Sequence, residues 1–271
     1  MSNQAEKAAA FRALHARARP FLIPNPWDRG SALILESMGF EALATTSLGV
    51  ANMLGQTGVT LQQVLDNCRE ICEATQLPVN VDLENCFADE PREAAIAIRL
   101  ACEHGAVGGS IEDSTGDAQK PIYDFNLAVE RVQAAVEVAR SLPVPFVLTA
   151  RAENFLHGRR DMDDTIRRLQ AFEAAGADVL YAPGLHSLAE IRTVTSALSK
   201  PFNLVMGFAD PTITLKKLGD AGVRRVSIGG GLSRVALKAF IDAAREMREG
   251  RFGFITEMAS IKELRDAFGR P

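Results

Sequence analysis

Short apolar segments rich in Val, Ile and Leu alternate along the chain with longer segments in which apolar residues recur at helical spacing. Eight short segments predict strands, at 20–24, 41–46, 78–83, 106–112, 145–150, 177–182, 201–206 and 223–229. Amphipathic segments predict helices between them, at 61–75, 91–104, 126–141, 162–175, 187–199 and 233–248. A glycine precedes several strands, as at Gly39, Gly105, Gly176 and Gly222, and can take the left-handed conformation that ends a helix.

Strands that are apolar throughout and alternate with helices are typical of a parallel sheet covered by helices. Eight repeats in 271 residues favour an α/β fold, a single (β/α)8 TIM barrel over 1–271. An open doubly wound sheet is the alternative, but no GxGxxG motif follows the first strand. The apolar stripe at 253–271 has no strand to cover, so we interpret it as an extra C-terminal helix and oligomerisation segment that packs on a neighbouring subunit.

Composition narrows the possible partners. Hydrophobic residues make up 47% of the chain and charged residues 24%, enough for the large core of an ordinary soluble protein. The formal net charge of −4 includes no basic run, which argues against nucleic acid or an anionic membrane as a partner. No segment has the length of a signal peptide or of a membrane span, so we expect a cytoplasmic protein. The four cysteines have no histidine at zinc-ligand spacing and are interpreted as buried free thiols.

Catalytic groups in a parallel barrel lie at the C-terminal ends of the strands, and in this chain those ends carry acids. Asp82 and Glu84 end the third strand, Glu112 ends the fourth, and Arg151 and Glu153 follow the fifth. Asp82 and Glu84 are two residues apart on an extended segment and therefore point the same way. Carboxylates without His or Cys suit a hard cation such as Mg²⁺, with Asp82 as direct ligand and two glutamates holding water.

The same residues allow a purely structural interpretation. The acids could pair with neighbouring Arg or Lys at the barrel rim. Arg151 could likewise be a salt-bridge partner of Glu153 or Glu112, instead of a clamp for a substrate carboxylate or phosphonate. Both interpretations remain open at this point.

The histidines and one glycine triplet are weaker candidates for functional residues. His157 follows the fifth strand and could reach the mouth, or could lie on a loop surface. We interpret His104 as a helix C-cap, and His15 and His186 as residues on helical or loop surfaces. The triplet 229–231 is similar to a barrel phosphate loop, but it could also only permit close packing.

Seven strand-end segments resemble signatures of the isocitrate lyase and phosphoenolpyruvate mutase superfamily, in the same order along the chain. They are PNPWDRGSA (24–32), TTSLGVA (45–51), VNVDLEN (79–85), GAVGGSIEDS (105–114), LTARAENFL (148–156), ADVLYAPG (177–184) and RRVSIGGG (224–231). The resemblance implies a Mg²⁺ enzyme, in which Mn²⁺ can substitute. The ion would chelate the oxo and carboxylate oxygens of a pyruvate-like unit and stabilise an enolate.

The resemblance also implies roles for individual residues and an assembly. The matched positions are Asp82, Glu84 and Glu112 for the metal, Trp27, Thr46, Ser47, Leu48, Arg151 and Asn203 for a small carboxylic acid substrate, and Arg151 and Glu112 for catalysis. It further implies a homotetramer or homodimer whose C-terminal helices are exchanged between subunits.

Some loops differ in sequence from those of the superfamily. These differences bear on which substrate the protein uses more than on its fold. The loop STGDAQKPIYDF after the fourth strand lacks the cysteine and histidine of the isocitrate and methylisocitrate lyases, and the asparagine-bearing loop of the mutase is not evident. Asn85-Cys86-Phe87 replaces a usual glycine and aromatic, and LGQTGVT lacks a usual aspartate.

We therefore expect a lyase or decarboxylase that cleaves a carbon–carbon bond of a small 2-oxo or 2-hydroxy carboxylic acid through an enolate. Phosphorus–carbon chemistry of the phosphonopyruvate hydrolase or phosphoenolpyruvate mutase type is the first alternative. A barrel that binds a 2-oxo acid without turnover is the second.

Overall fold

The computed structural model describes residues 3–269, so the first two and last two residues of the predicted 1–271 domain and of the 253–271 segment lie outside it. Eight parallel strands form one sheet: β1 (Phe21–Leu22), β2 (Leu43–Ala44), β3 (Val79–Val81), β4 (Gly108–Glu112), β5 (Val147–Arg151), β6 (Val179–Tyr181), β7 (Phe202–Val205) and β8 (Val223–Ser227). Their order is β1-β8-β7-β6-β5-β4-β3-β2. The backbone N–H of Ala44 donates to the carbonyl of Pro24 at 3.0 Å and joins the two ends of this order. The predicted (β/α)8 barrel is confirmed.

Helices follow the strands around the outside of the sheet. They are α1 (Gln4–His15), α2 (Arg29–Ser37), α3 (Ser47–Leu54), α4 (Leu61–Ala74), α5 (Pro91–Glu103), α6 (Phe125–Ser141), α7 (Met162–Ala174), α8 (Leu188–Ser196), α9 (Leu215–Asp220), α10 (Gly231–Arg248), a 3₁₀ helix (Gly253–Glu257) and α11 (Ile261–Phe268). Each of the six predicted helices overlaps one of them. Across residues 3–269, no helix has the length and apolar character needed to cross a membrane.

Helix α1 closes the N-terminal end of the barrel. Its Phe11 and Leu14 are buried in a cluster with residues from the beginnings of strands, namely Phe21, Ala42, Val107, Val147 and Val179. A Cβ atom at Gly108 would lie only 2.8 Å from a ring carbon of Phe11, so the absence of a side chain there lets the ring reach into the barrel. A separate and larger cluster fills the space between the sheet and the surrounding helices.

The loop after β3 has an uncommon backbone conformation. Glu84, Cys86 and Phe87 have φ angles of 49°, 63° and 58°, in the left-handed region that favours glycine. Arg131 on α6 is only 1% exposed and donates hydrogen bonds to backbone carbonyls of this loop, those of Asn85, Ala88 and Asp89. These bonds hold the loop in a conformation that its own residue types disfavour, and so fix the position of Glu84.

The C-terminal segment folds back on its own chain. Helix α11 packs against α2, and Ala267 is buried there. Exchange of this segment between subunits stays a prediction. Large apolar side chains on α10 and in the C-terminal segment remain exposed, namely Val235, Phe240, Met247, Phe252, Ile255, Met258 and Ile261. Exposed apolar surface of this kind is typical of a protein–protein interface.

We predict that removal of residues 253–271 weakens an oligomer, because the apolar side chains of this segment would then be missing from the interface. Sedimentation velocity should show a smaller species than the full chain at the same concentration. Ile96→Ser is the control, since Ile96 is an exposed apolar residue on α5, away from the segment. An unchanged sedimentation coefficient after truncation would show that the segment is a passive tail.

A second prediction concerns the loop after β3. Arg131→Gln should lower the free energy of unfolding by about 3 kcal/mol, because three partly buried carbonyl oxygens lose a charged donor. Arg99→Gln on α5 is the control: Arg99 forms only an exposed pair with Glu103 at 3.1 Å, and its loss should cost about 0.5 kcal/mol or less. Urea denaturation measures both, and equal losses would contradict the role given to Arg131.

Candidate active site

A cavity of about 290 Å³ opens at the C-terminal ends of the strands. Its lining includes most residues predicted to bind substrate, together with one predicted metal ligand: Thr46, Ser47, Leu48, Arg151, Asn203 and Asp82. Trp27 does not line it, but lines a neighbouring apolar pocket with Ile34, Met38 and Val235. Residues 229–231 also border the cavity. The barrel therefore brings together residues that are more than a hundred positions apart in the sequence.

The loop after β2 leads directly into α3 and places backbone donors beside Asp82. Thr46 is the N-cap of α3, and its hydroxyl accepts from the N–H of Gly49 at 3.3 Å. The backbone N–H and the hydroxyl of Ser47 both donate to one carboxylate oxygen of Asp82, each at 3.0 Å. The N-terminus of a helix stabilises negative charge, so this position suits either the Asp82 carboxylate or a bound carboxylate.

Arg151, at the end of β5, connects three carboxylates of the site. Its Nη1 lies 3.0 Å from Asp82, its Nη2 lies 3.0 Å from Glu112, and its Nε lies 2.8 Å from Glu153. Both interpretations of Arg151 are thus combined, because it lines the cavity and is also the ion-pair partner of Glu112 and Glu153. A guanidinium has five N–H donors, which leaves two for a ligand.

The surroundings of this guanidinium are strongly acidic. Burial raises the pKa of Glu112 well above its usual range, and Arg151 opposes the shift. Burial, with the charge of Asp82, also raises the pKa of Glu84, against a hydrogen bond from Ser47. Both carboxylates are therefore easier to protonate than in water, because burial disfavours their charged form.

The metal prediction can be compared with this geometry. Within the part of the chain that the structure describes, no three Asp, Glu, His or Cys side chains converge on a point that could hold a metal ion. The guanidinium of Arg151 lies between Asp82 and Glu112 instead. The donor set nevertheless fits Mg²⁺, because Asp82, Glu84 and Glu112 offer only oxygen atoms as ligands. Mg²⁺ often binds one or two carboxylates directly and keeps several waters, and Asp82 lines the cavity.

A buried ion pair supports the loop after β5. Asp113 accepts a hydrogen bond from the backbone N–H of Glu153 at 2.8 Å and pairs with Arg168 at 3.1 Å. Burial raises the pKa of Asp113 to about 7. This pair fixes the backbone that carries Glu153, which in turn holds the Nε atom of Arg151.

Sequence reasoning missed Arg225 of β8, which lines the cavity with 3% of its surface exposed. The available signal was two successive arginines, Arg224 and Arg225, inside a strand, where neighbouring side chains face opposite sides. His15, which we interpreted as a residue on a helical or loop surface, is half-buried. Its Nε2 lies 3.4 Å from Arg225, and burial, with the charge of Arg225, lowers the pKa of His15 to about 3.

The remaining minor predictions have clear outcomes. His104 is the C-cap of α5, as predicted. His157 is exposed and lies 3.2 Å from the hydroxyl of Ser114, and it does not border the cavity. All four cysteines are buried free thiols, as predicted.

Comparison with known proteins shows the family to which the chain belongs. The sequence profile of the phosphoenolpyruvate phosphomutase family matches residues 11–248. The chain is 30% identical to 2-methylisocitrate lyase of Escherichia coli over 228 residues, 79% of this chain and 75% of that one. It is 29% identical to oxaloacetate decarboxylase of Bradyrhizobium diazoefficiens over 238 residues, 83% of this chain and 79% of that one.

Solved structures show the same fold. A candidate lyase or mutase from Burkholderia cenocepacia is 53% identical with a TM-score of 0.96, covering 99% of this chain and 97% of that one. A phosphonopyruvate hydrolase solved with oxalate and Mg²⁺ is 22% identical with a TM-score of 0.86, covering 97% of this chain and 95% of that one, a likeness of fold alone. The chain thus belongs to the phosphoenolpyruvate phosphomutase family and is an enzyme of the isocitrate lyase and phosphoenolpyruvate mutase superfamily.

Proposed function

We propose that this enzyme is a Mg²⁺-dependent lyase or decarboxylase that cleaves a carbon–carbon bond of a small 2-oxo or 2-hydroxy carboxylic acid through an enolate. The observation that carries the proposal is the meeting of Asp82, the N-terminus of α3 and Arg151 in one cavity. The names of two relatives, a 2-methylisocitrate lyase and an oxaloacetate decarboxylase, support the reaction class.

Asp82 is the proposed direct ligand of the ion, with Glu84 and Glu112 acting through water. Bound Mg²⁺ would supply positive charge beside the oxo and carboxylate oxygens of the substrate. Asp82 now accepts hydrogen bonds from Ser47 and from Nη1 of Arg151. If Asp82 turned to a bound ion, both donors would become free for the substrate carboxylate.

The chain's own donors would then act where negative charge develops. In a 2-oxo acid, cleavage of the carbon–carbon bond leaves its electron pair on the 2-oxo unit, as an enolate. In a 2-hydroxy acid, loss of the hydroxyl proton turns that carbon into a carbonyl, and the electron pair passes to the departing fragment as its enolate. Arg151 and the N–H groups at the start of α3 stabilise this charge more than they stabilise the neutral carbonyl, and this difference lowers the barrier. Glu112 contributes by holding Nη2 of Arg151 at 3.0 Å. Thr46, Leu48 and Asn203 shape the pocket around the substrate.

Two other functions remain as proposals. Phosphorus–carbon chemistry is favoured by the similarity to a phosphonopyruvate hydrolase and by the family's name, and release of phosphate from phosphonopyruvate would reveal it. Binding without turnover is favoured by the three acids that already engage Arg151. Tight binding of an oxo acid that stays intact would indicate this function.

The proposed function predicts a metal-dependent reaction. A screen of 2-oxo and 2-hydroxy acids with Mg²⁺ should detect pyruvate or glyoxylate, and Mn²⁺ should replace Mg²⁺. Chelation by EDTA should abolish the reaction, because Asp82, Glu84 and Glu112 require a hard ion to offset their charge. Addition of excess Mg²⁺ after EDTA is the control and should restore it. Full activity in EDTA would refute the metal requirement.

A further prediction separates Asp82 from Arg151. Asp82→Ala should abolish Mg²⁺ binding and turnover while the barrel stays folded, because removing one of several like charges relieves repulsion. Arg151→Lys keeps a positive charge but loses the planar fork, so Mg²⁺ should still bind while turnover falls about 100-fold. Melting temperature, Mg²⁺ titration and turnover are measured on each variant.

Arg140→Lys is the matched control for Arg151→Lys. Arg140 also forms a two-armed pair, with Asp178 at 2.8 and 3.1 Å, but it does not border the cavity. Its turnover should be normal. An Arg151→Lys enzyme that loses thermal stability but keeps normal kinetics would show that Arg151 is a structural residue only.

A further inference from the structure

Cleavage of a carbon–carbon bond through an enolate ends with a proton transfer. When the enolate returns to a ketone, a C–H bond forms at the carbon that lost its neighbour, and an acid must supply the proton. The loop STGDAQKPIYDF after β4 contains neither a thiol nor an imidazole for this step. The proton must therefore come from another group at the cavity or from water.

Few residues that border the cavity carry a titratable proton. Within the part of the chain that the structure describes, no His, Cys, Lys or Glu lines it. The titratable side chains that do line it are Asp82, Arg151, Tyr181, Arg225 and Arg234. Four of these five are an ionised acid or guanidinium groups, which leaves one phenol.

The charged groups are poor proton donors for this reaction. Asp82 pairs with Arg151 at 3.0 Å and has no proton to give while it is ionised. A guanidinium normally keeps its proton in proteins. Burial lowers the pKa of Arg225 to about 9, but its N–H groups donate to Asn203 and Thr149 inside the barrel. The neutral phenol of Tyr181 is the remaining candidate.

Tyr181 ends β6 and lies next to the residue that we propose to bind the substrate. Its Cα partners on the neighbouring strands are Arg151 on β5 and Asn203 on β7. The Cζ atom of Arg151 lies 4.8 Å from the centroid of the Tyr181 ring. This cation–π contact fixes the ring at the cavity wall, beside the guanidinium.

The two tyrosines of the chain differ in what their hydroxyl groups contact. The hydroxyl of Tyr123 donates to Asp89 and accepts from Asn85 at 3.4 Å. The hydroxyl of Tyr181 has no hydrogen-bond partner among residues 3–269, although its ring is half-buried. Since a tyrosine in such a place usually has a polar partner, the Tyr181 hydroxyl is available to a molecule in the cavity.

The charges around Tyr181 suit a proton donor. Burial raises the pKa of Tyr181 above its usual range, and the charge of Arg151 opposes this shift. The phenol therefore keeps its proton at neutral pH and acts as an acid, not as a base. When it gives up the proton, the adjacent guanidinium stabilises the phenolate.

We propose that Tyr181 is the catalytic proton donor, whose hydroxyl protonates the enolate carbon of the 2-oxo unit. The O–H bond of Tyr181 breaks, the electron pair of the enolate double bond forms the new C–H bond, and the carbonyl group is restored. The phenolate then recovers a proton from water that enters at the mouth. This inference rests on the proposed function in its 2-oxo form.

Pyruvate in D₂O tests the reverse of this step. The phenolate of Tyr181 would take a methyl proton from pyruvate, exchange it with solvent and return deuterium. With Mg²⁺, the unsubstituted enzyme should replace the methyl hydrogens, measured by loss of their ¹H NMR signal. Tyr181→Phe should slow this exchange about 100-fold or more. Its affinity for pyruvate, measured by calorimetry, should stay unchanged.

Oxalate provides a second measurement that separates catalysis from support of the cavity. It has the planar shape of the pyruvate enolate, with an oxygen in place of the carbon that receives the proton. The Tyr181 hydroxyl can donate to this oxygen but not to the methyl group of pyruvate. Tyr181→Phe should therefore weaken oxalate binding about tenfold while leaving pyruvate binding as it was. Equal weakening of both ligands would show a structural residue and overturn the proposal.

Tyr123→Phe is the matched control, since Tyr123 does not border the cavity and its loss should leave the exchange rate unchanged. Exchange at the normal rate in folded Tyr181→Phe would overturn the proposal and indicate water as the donor. Absence of exchange by the unsubstituted enzyme, although pyruvate and oxalate bind, would also overturn it. Failure of both ligands to bind with Mg²⁺ would overturn the proposed function together with this role.

Discussion

The site depends on one guanidinium that joins three strand ends. Arg151 contacts Asp82 after β3, Glu112 at the end of β4 and Glu153 just after β5. Without this positive charge, the carboxylates would repel one another. Burial nevertheless raises the pKa values of Glu84 and Glu112 above their usual range. The ion pairs of Arg151 thus link three strand ends across the mouth.

The strained loop after β3 shows how this arrangement tolerates an unusual sequence. The superfamily resemblance led us to expect a glycine and an aromatic where Asn85-Cys86-Phe87 stands. Left-handed angles at Cys86 and Phe87 explain why a glycine would be suitable there. Arg131 compensates through its bonds to the loop carbonyls. The unfavourable backbone conformation of the loop is thus offset by hydrogen bonds from a buried arginine on α6.

The fold could be predicted because its causes are local. Apolar strand segments and glycines such as Gly176 and Gly222 repeat along the chain, and both glycines do have positive φ angles. The short helices α3 and α9 were not placed by this reasoning, since they follow strands with little amphipathic length. Residues of the site were found where they follow a strand end, as with Asp82 and Arg151.

The contacts between these residues could not be predicted in the same way. That Arg151 would take all three acids depends on rotamers and distances across strands, which no local pattern encodes. Trp27 matched a superfamily segment but lines another pocket. Arg225 was overlooked because only the packed barrel shows that it has no acidic partner.

Helix α1 has a role beyond its contribution to the core. Phe11 closes the floor of the barrel beside Gly108, and His15 on the same helix contacts the interior charge of Arg225. The floor therefore separates that charge from bulk water at the end opposite the mouth. A chain shortened by this helix would admit solvent from below, raise the local dielectric constant and weaken every electrostatic interaction inside. The N-terminal helix thus keeps the dielectric constant inside the barrel low.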